Sequence, residues 1–262
     1  MYLRLRQICL VARELAPAEK GLIDVLGLEV CYRDPGVGKY GLHNALFAAG
    51  GTFLEVVSPT KEGTAAGRYL DRREGDGGYM FIVDCDNLEH RRAHFQKMGL
   101  RLVEDLKSAD GDLVGEGIHI HPRDTGGCLL SVDRHSGGDD MLGGYKWAGR
   151  DWRSHDRSKT MTAIIGAGMQ SADPEATAKR WSDILERPYG PAPQKADGDH
   201  WQIDLDKGFA RFGPLRDDRG EGLRSVHYAC KDKAAVLKAA KAAGAPTGES
   251  HVDLVGVRFV LV

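Results

Sequence analysis

Residues 40–86 read YGLHNALFAAGGTFLEVVSPTKEGTAAGRYLDRREGDGGYMFIVDCD, and this stretch decides the fold. Two apolar runs flank the turn Gly50-Gly51, and a third apolar run closes the stretch at residues 78–84. Glycine pairs between apolar runs are typical of hairpin turns, so the stretch predicts three strands. Glu55 is a lone carboxylate inside the second strand, where burial is costly unless the charge is paired or bound. Glu55 is therefore the first candidate for a ligand-binding residue.

Composition excludes several classes of protein. The chain has 262 residues, enough for one or two domains, and a formal net charge of -2. Basic and acidic residues are interspersed, so no nucleic-acid partner is expected. No apolar run approaches the ~18 residues of a membrane span, and residues 1–6 begin a strand rather than a signal peptide. The five cysteines lie singly without a CxxC spacing, which predicts reduced thiols in a cytoplasmic protein.

A strand–helix–strand unit recurs along the chain. The first copy spans residues 3–58 and the second spans residues 79–132. In each copy a helix ends at a glycine, Gly27 or Gly99, and a strand follows directly. Two further copies follow residue 160. A fixed order of elements repeated four times indicates one structural module used four times.

The four modules predict an α+β fold in which βαβββ modules pair into two tandem halves. Residues 1–135 form the N-terminal half and residues 161–262 the C-terminal half. Residues 136–160 connect the halves and are too aromatic for a plain linker. We expect this connecting segment to pack on a partner surface or to cover a cavity.

Modules of this kind resemble the vicinal oxygen chelate superfamily, which includes glyoxalase I, methylmalonyl-CoA epimerase, extradiol dioxygenases and bleomycin-resistance proteins. The resemblance is carried by VAREL at residues 11–15, LGLEV at residues 26–30 and FLEVVSP at residues 53–59. HPRDTGG at residues 121–127 is similar to the corresponding turn of the epimerase. The resemblance covers nearly the whole chain. It implies two glyoxalase-like halves, each an open cup that holds one divalent metal in its relatives.

The resemblance also implies positions for four metal ligands in the first half. Gln7 stands at the first position, where histidine is usual, and Glu55 matches the second. Tyr79 stands at the third, where histidine is usual, and Ser131 at the fourth, where glutamate is usual. The implied site is Glu55 with Gln7 as a weak ligand. It would hold one divalent metal (Fe, Mn, Zn, Ni or Co) or no tightly bound metal.

The equivalent positions of the second half carry no divalent-metal ligands. They are Gly166, Arg211, Ser225 and Val260. The second half is therefore expected to be a degenerate copy that closes the first half or supports dimerisation. Because the superfamily often dimerises, a homodimer is an expectation of the resemblance.

Histidines supply further candidates. His43 follows Leu42 in a predicted strand and is either a substitute ligand beside Glu55 or a histidine hydrogen-bonded at a sheet face. His119 and His121 have an i, i+2 spacing, which is a ligand spacing in strands. His121 is also the first residue of a His-Pro turn, where a structural role is the alternative.

Arginines and aromatic residues are the remaining candidates. Arg68 and Tyr69 lie on the connector between the first two modules, where arginine can clamp a carboxylate or phosphate. The alternative is a solvated helix. Trp147, with Tyr145 and Trp152, would line an aromatic pocket or attach the connecting segment to the core.

Two functions follow for a small-molecule site of this kind. The first is an enzyme of the lyase, isomerase or ring-cleaving dioxygenase type, in which Glu55 and Tyr79 are catalytic and Gln7, His43, Arg68, Tyr69, Ser131 and Trp147 bind the substrate. The second is a metal-free binding protein of the drug-sequestering, bleomycin-resistance-like kind. Glu55→Gln abolishes turnover in the first case and matters little in the second.

Overall fold

Two curled sheets with helices on their outer faces make up the protein, which is a mixed α+β fold. The computed structural model describes residues 1–193, 198 and 200–262. The first sheet contains β1 (Leu3–Val11), β2 (Val30–Tyr32), β3 (Leu42–Ala49), β4 (Thr52–Pro59), β5 (Gly77–Cys85), β6 (Leu102–Asp110), β7 (Leu113–Ile120) and β8 (Leu129–His135). The second sheet contains β9 (Met161–Ser171), β10 (Tyr189–Pro191), β11 (Trp201–Asp204), β12 (Phe209–Pro214), β13 (Gly222–Cys230), β14 (His251–Leu254) and β15 (Val257–Leu261).

Six α-helices and three 3-10 helices complete the described fold. The α-helices are α1 (Leu15–Leu26), α2 (Ala65–Arg72), α3 (Leu88–Lys97), α4 (Pro122–Thr125), α5 (Pro174–Leu185) and α6 (Lys233–Ala242). The 3-10 helices are Pro35–Tyr40, Lys146–Ala148 and Trp152–His155. Of the helices in the described residues, none is long and apolar enough to cross a bilayer.

Strand order repeats the module in both sheets. The first sheet runs β2-β3-β4-β1-β5-β8-β7-β6, and the second runs β10-β11-β12-β9-β13-β15-β14. In each module the first strand pairs in parallel with the last, and the first strands of two modules pair antiparallel at the centre of the sheet. The four-module prediction and the α+β class are confirmed. The fourth module has two strands after its helix, where the first three have three.

The module helices begin in the same way in three of the four copies. The side chains of Asn87, Asp173 and Asp232 cap α3, α5 and α6 by accepting a hydrogen bond from the backbone N–H three residues on. Such caps satisfy amide groups that have no partner within the helix. The first copy has Glu14 at this position without a side-chain cap. Its helix relies on buried apolar residues along one face instead.

One apolar core joins the two sheets. Trp181 of α5 is fully buried and packs edge-on against Phe81 of β5 at 5.3 Å and against Phe212 of β12 at 5.5 Å between ring centroids. Across the same boundary, Arg73 donates hydrogen bonds to the backbone carbonyls of Arg219 and Glu221. The two halves therefore share packed side chains and buried polar contacts.

The β6–β7 hairpin is longer than the sequence indicated. The apolar patterns at residues 100–104 and 117–121 indicate strands only there, but β6 and β7 extend to meet at a turn between Asp110 and Leu113. β6 is the edge of the sheet, so its residues alternate between half-buried and exposed rather than between apolar and polar. An edge strand of this kind lacks the hydrophobic pattern that reveals a buried strand.

Candidate functional site

A cavity of about 550 Å³ lies inside the curled first sheet. Its wall is contributed by strands of both modules, by the 3-10 helix Pro35–Tyr40 and by Trp147 of the connecting segment. Apolar side chains such as Leu46, Ile82 and Leu129 form much of its surface. Ligand sites are commonly concave, mostly apolar and supplied with a few polar groups, and this cavity has that character.

The hairpin turn aims Glu55 into the cavity. Ala49 pairs with Thr52 across the turn, so Leu46 pairs with Glu55. Since strand residues alternate between faces, Leu46 and Asn44 share the cavity face with Glu55, whereas His43 points to the other face. Glu55 is 7% exposed and lines the cavity.

Glu55 is held by two carboxamides. The Gln7 amide Nε2 donates to one carboxyl oxygen at 2.8 Å, and the Asn44 amide Nδ2 donates to the other at 2.7 Å. The Tyr145 hydroxyl donates to the Gln7 Oε1 at 2.7 Å, which fixes the amide with its NH₂ toward Glu55. This chain of hydrogen bonds joins β1, β3, β4 and the connecting segment around one carboxyl group.

Burial and hydrogen bonding oppose each other at Glu55. Burial raises the pKa of Glu55 above its ordinary value, while hydrogen bonds from Asn44, Cys9 and Gln7 lower it, and burial has the larger effect. Burial beside Glu55 also raises the pKa of the Cys9 thiol well above its ordinary value. Cys9 is therefore a neutral thiol in the cavity wall rather than a nucleophile.

Asp133 is a second buried carboxyl group of the cavity. It lies on β8 and accepts hydrogen bonds from Ser131 Oγ at 2.5 Å and from the Trp147 indole Nε1 at 2.7 Å. Burial raises the pKa of Asp133 to about 7, although both hydrogen bonds act in the opposite direction. Ser131, a predicted site residue, thus reaches the cavity through its contact with Asp133.

Strand register makes Met80 rather than Tyr79 the counterpart of Gln7. Cys9 pairs with Glu55 in the first module, and Ile82 pairs with Ser131 in the second. The residue two before Cys9 is Gln7, and the residue two before Ile82 is Met80. The assignment of the third ligand position to Tyr79 was therefore wrong by one residue.

Tyr79 nevertheless lines the cavity, because it lies at a β-bulge. Cys9 pairs with Met80 while Leu10 pairs with Gly78, so Tyr79 is the extra residue of the bulged strand. A bulge re-aims side chains that strict alternation would place on the opposite face. Burial raises the pKa of the Tyr79 hydroxyl. Its proposed role in catalysis stays a prediction.

His119 also faces the cavity. Burial lowers the pKa of the His119 imidazole to about 4, so the ring is neutral at pH 7. Within the described part of the chain, neither the His119 ring nor the Tyr79 hydroxyl has a hydrogen-bond partner. His121, by contrast, caps α4, and its Nδ1 accepts a hydrogen bond from the Arg123 N–H at 3.1 Å. The histidine pair therefore does not form a common ligand set.

Three predicted substrate-binding residues lie outside the cavity. His43 is exposed on the outer face of β3, beside a separate depression against α1. Arg68 is exposed on α2, and its guanidinium donates to the Gly63 carbonyl at 2.7 Å. Tyr69 is buried behind Tyr79, and its hydroxyl donates to the Gly78 carbonyl at 2.6 Å. Strand alternation and helix packing turn these residues away from the cavity, and their role in substrate binding stays a prediction.

The connecting segment closes the inner end of the cup. Tyr145 stacks on Phe53 at 4.3 Å between ring centroids, and Trp152 packs edge-on against Phe53 at 5.1 Å. Tyr145 and Trp152 are fully buried, whereas Trp147 is half-buried and lines the cavity. The segment therefore plays both roles that the sequence suggested, with Trp147 as the pocket residue.

The cup of the second half is filled by its own side chains. A Cβ atom at Gly166 would lie 2.1 Å from the Phe209 ring, so this ring occupies the space above the first strand. The Phe209 ring also contacts His227 at 5.2 Å and lies under the Arg211 guanidinium at 4.4 Å. Ser225 and Val260 are buried in the adjoining strands. An aromatic ring therefore packs at the position that corresponds to Gln7 of the first half.

The donor set of the first half does not suit a divalent metal. Among the residues that the structure describes, no group of three or more His, Cys, Asp or Glu side chains is placed to hold a metal ion. The two groups nearest to the Glu55 oxygens are amide NH₂ groups, which donate hydrogen bonds and cannot ligate a cation. A metal bound by Glu55 and Gln7 would require both amides to turn away.

Sequence reasoning missed Asn44, Asp133 and the hydrogen bond of Tyr145. Asn44 could have been found, because a two-residue turn at Gly50-Gly51 places even-numbered residues of β3 on the face of Glu55. Asp133 carries no comparable signal in the sequence. Its burial depends on Trp147, which lies 14 residues later in the connecting segment.

Comparisons with known proteins show the fold. No protein-family model matches the chain, and no curated protein matches it. A hypothetical protein from Staphylococcus aureus is similar over 100% of this chain and 99% of its own, with 12% identity and a TM-score of 0.67. Methylmalonyl-CoA epimerase from Mycobacterium tuberculosis is similar over 50% of this chain and 87% of its own, with 22% identity and a TM-score of 0.44. A hypothetical protein from Bacillus halodurans covers 53% of this chain and 98% of its own, with 17% identity and a TM-score of 0.46.

Proposed function

We propose that this chain is a vicinal oxygen chelate protein that binds a small, largely apolar molecule in the cavity of its first half without a metal ion. The observation that carries the proposal is the series of hydrogen bonds that links Asn44, Glu55, Gln7 and Tyr145. In this series, amide donors surround the carboxyl group that stands at the usual ligand position. The tandem modules and the strand register support membership of the superfamily. The five free cysteines support a cytoplasmic location.

Binding of a neutral, environment-sensitive dye such as Nile red tests the proposal. We expect saturable binding at one site per chain, and Leu129→Trp should weaken it at least about ten-fold by filling the cavity. Leu215→Trp is the matched control, because Leu215 is 42% exposed and lies outside the cavity. Equal loss in both variants, or no saturable binding, would contradict the proposal.

Metal independence has its own measurement. We expect the dye affinity to change less than about two-fold after treatment with EDTA, because the donors around Glu55 are amides. Metal content per chain, measured before and after dialysis, accompanies the titration. A stoichiometric metal whose removal abolishes binding, and whose return restores it, would overturn this part of the proposal.

An enzyme is the second candidate, favoured by one observation. Glu55 is a buried carboxyl group that faces a cavity, and burial raises its pKa toward the range useful for a general base. In this alternative Glu55 removes and returns a proton next to a carbonyl group. Deuterium exchange of small carbonyl compounds in D₂O tests it. Exchange that Glu55→Gln abolishes without a change in the circular dichroism spectrum would favour the enzyme, and exchange equal to the uncatalysed rate would dismiss it.

A further inference from the structure

The cavity carries acidic groups that no basic side chain neutralises. Its inner wall holds Glu55 and Asp133, and in the described residues no lysine or arginine forms an ion pair with either. The lysines of its rim are already engaged: Lys39 pairs with Glu104 at 3.2 Å, and Lys107 pairs with Glu116 outside the cavity at 2.9 Å. The nearest imidazole to Asp133, that of His135 at 4.0 Å, is neutral because burial lowers its pKa.

Two further polar groups face the same space without partners. The neutral His119 ring and the Tyr79 hydroxyl line the cavity, and neither has a hydrogen-bond partner in the described residues. Both residues are half-buried, so their polar atoms stay open to the cavity. They can form hydrogen bonds with a polar atom of a ligand inside the cavity.

We propose that the ligand is an organic cation: a molecule with an apolar, planar body and a protonated nitrogen that donates hydrogen bonds to Glu55 and Asp133. The inference rests on the proposed binding function and names the class of ligand. Carboxylates accept hydrogen bonds and a protonated amine, amidine or guanidine supplies donors together with the opposite charge.

Glu55 has the capacity to accept such a group. A carboxylate has about four lone-pair positions, and Gln7, Asn44 and Cys9 use three of them, which leaves one for a ligand. The two amides hold the Glu55 side chain in place, which fixes the direction of its remaining lone-pair capacity. Burial raises the pKa of Glu55 and so disfavours its ionised form, whereas a bound cation favours that form, so an organic cation would offset the effect of burial.

The apolar wall accounts for the body of the ligand. Trp147 holds its indole at the cavity through the hydrogen bond to Asp133, so the N–H edge of the ring lies next to a carboxyl group. Leu46, Ile82 and Leu129 supply aliphatic surface. The indole adds planar, apolar surface to this wall, which suits a planar apolar body.

Three naphthalene probes with the same body test the class of ligand. They are 2-naphthylmethylammonium, 2-naphthylmethanol and 2-naphthoate, titrated by calorimetry at pH 8. We expect the ammonium compound to bind at least about ten-fold more tightly than the alcohol, and the carboxylate to bind most weakly. Glu55→Gln should reduce the ammonium preference to within about two-fold, and Asp133→Asn should also reduce it, while affinity for the alcohol is retained.

Glu175→Gln is the matched control, because Glu175 is exposed on α5 in the second half. It should leave all three affinities unchanged. If the alcohol binds as tightly as the ammonium compound, or if the preference survives both cavity variants, the cationic ligand is refuted while the binding function stands. If none of the probes and no Nile red binds, the binding function fails as well.

Discussion

Glu55 and Asp133 are two buried carboxyl groups of one cavity, and they accept hydrogen bonds from different kinds of donor. Glu55 is held by amide donors on both oxygens, and Asp133 by a hydroxyl and an indole. The hydrogen bonds lower both pKa values, but they do not outweigh burial at either site. At the scale of the residue, the site is thus a pair of acids that gain from a positively charged partner.

Asp133 makes stability depend on pH. Its pKa is about 7 in the folded protein against an ordinary value of 3.8, so the folded state binds the proton more tightly than the unfolded state. The wild type should therefore lose stability as pH rises from about 4 to about 7, by about 4 kcal/mol for this group alone. Asp133→Asn removes this loss, so its stability relative to the wild type should rise across that window. Urea unfolding at pH 4.5 and pH 8 measures it, and a difference independent of pH would contradict the assignment.

Tyr145 tests the hydrogen-bond chain. Tyr145→Phe removes the donor to Gln7 Oε1 and leaves a buried acceptor unpaired, so we expect a loss of about 1–3 kcal/mol in the free energy of unfolding. Tyr228→Phe is the matched control, because the Tyr228 hydroxyl is buried and has no hydrogen-bond partner among the described residues. That variant should be neutral or more stable. Denaturant titration of both variants measures the two changes in the free energy of unfolding. Equal destabilisation would show that the hydrogen bonds through Tyr145 do not contribute to stability.

At the scale of the element, one module gives two different cups. In the first half, the hairpin of β3 and β4 carries Asn44, Leu46 and Glu55 toward an open cavity. In the second half, the Phe209 ring lies over Gly166 and fills the equivalent space. A small residue facing a large one closes the second cup, so the two halves differ by packing rather than by topology.

Gly166→Ala tests this packing. The new methyl group would lie 2.1 Å from the Phe209 ring, which must move out of its position above His227 and Arg211. We expect a loss of about 1–3 kcal/mol in the free energy of unfolding. Gly190→Ala, in an edge strand where nothing lies within 4 Å of a Cβ, should change stability by less than about 0.5 kcal/mol. Thermal unfolding compares the variants, and indifference to Gly166→Ala would show that the ring is free to move.

At the scale of the whole molecule, the halves share a core, which predicts that they unfold together. Trp181 lies between Phe81 of the first sheet and Phe212 of the second, and Arg73 reaches the backbone at Glu221. Contacts of this kind couple the stability of the two sheets. A cavity made in one half should therefore weaken the other.

Phe212→Ala should destabilise the whole chain by about 3–5 kcal/mol. The readout is hydrogen exchange at β3 and β4, which lie in the other half. If unfolding is cooperative, amides of the first sheet lose protection to the same extent as those of the second. Loss of protection confined to the second sheet would show two independently unfolding halves.

Short-range patterns in the sequence predict the repeated module and the α+β class: apolar runs, glycines after helices and a two-residue turn. The same patterns single out Glu55 but leave open whether its side chain faces the cavity or the outside. The sequence also contained the placement of Asn44, through the register of that turn. The one-residue shift at Tyr79 could not be predicted from the sequence, because the bulge depends on pairing between β1 and β5, which lie far apart in the chain.

The chemistry of the site depends on contacts between distant parts of the chain. Gln7 and Tyr145 meet across 138 residues, and burial raises the pKa of Asp133 although the hydrogen bond from Trp147 of the connecting segment lowers it. Such contacts have no local pattern, because burial and hydrogen-bond geometry arise when distant elements pack. The same reason turns His43, Arg68 and Tyr69 away from the cavity, since the direction of a side chain follows from the face of the element on which it lies.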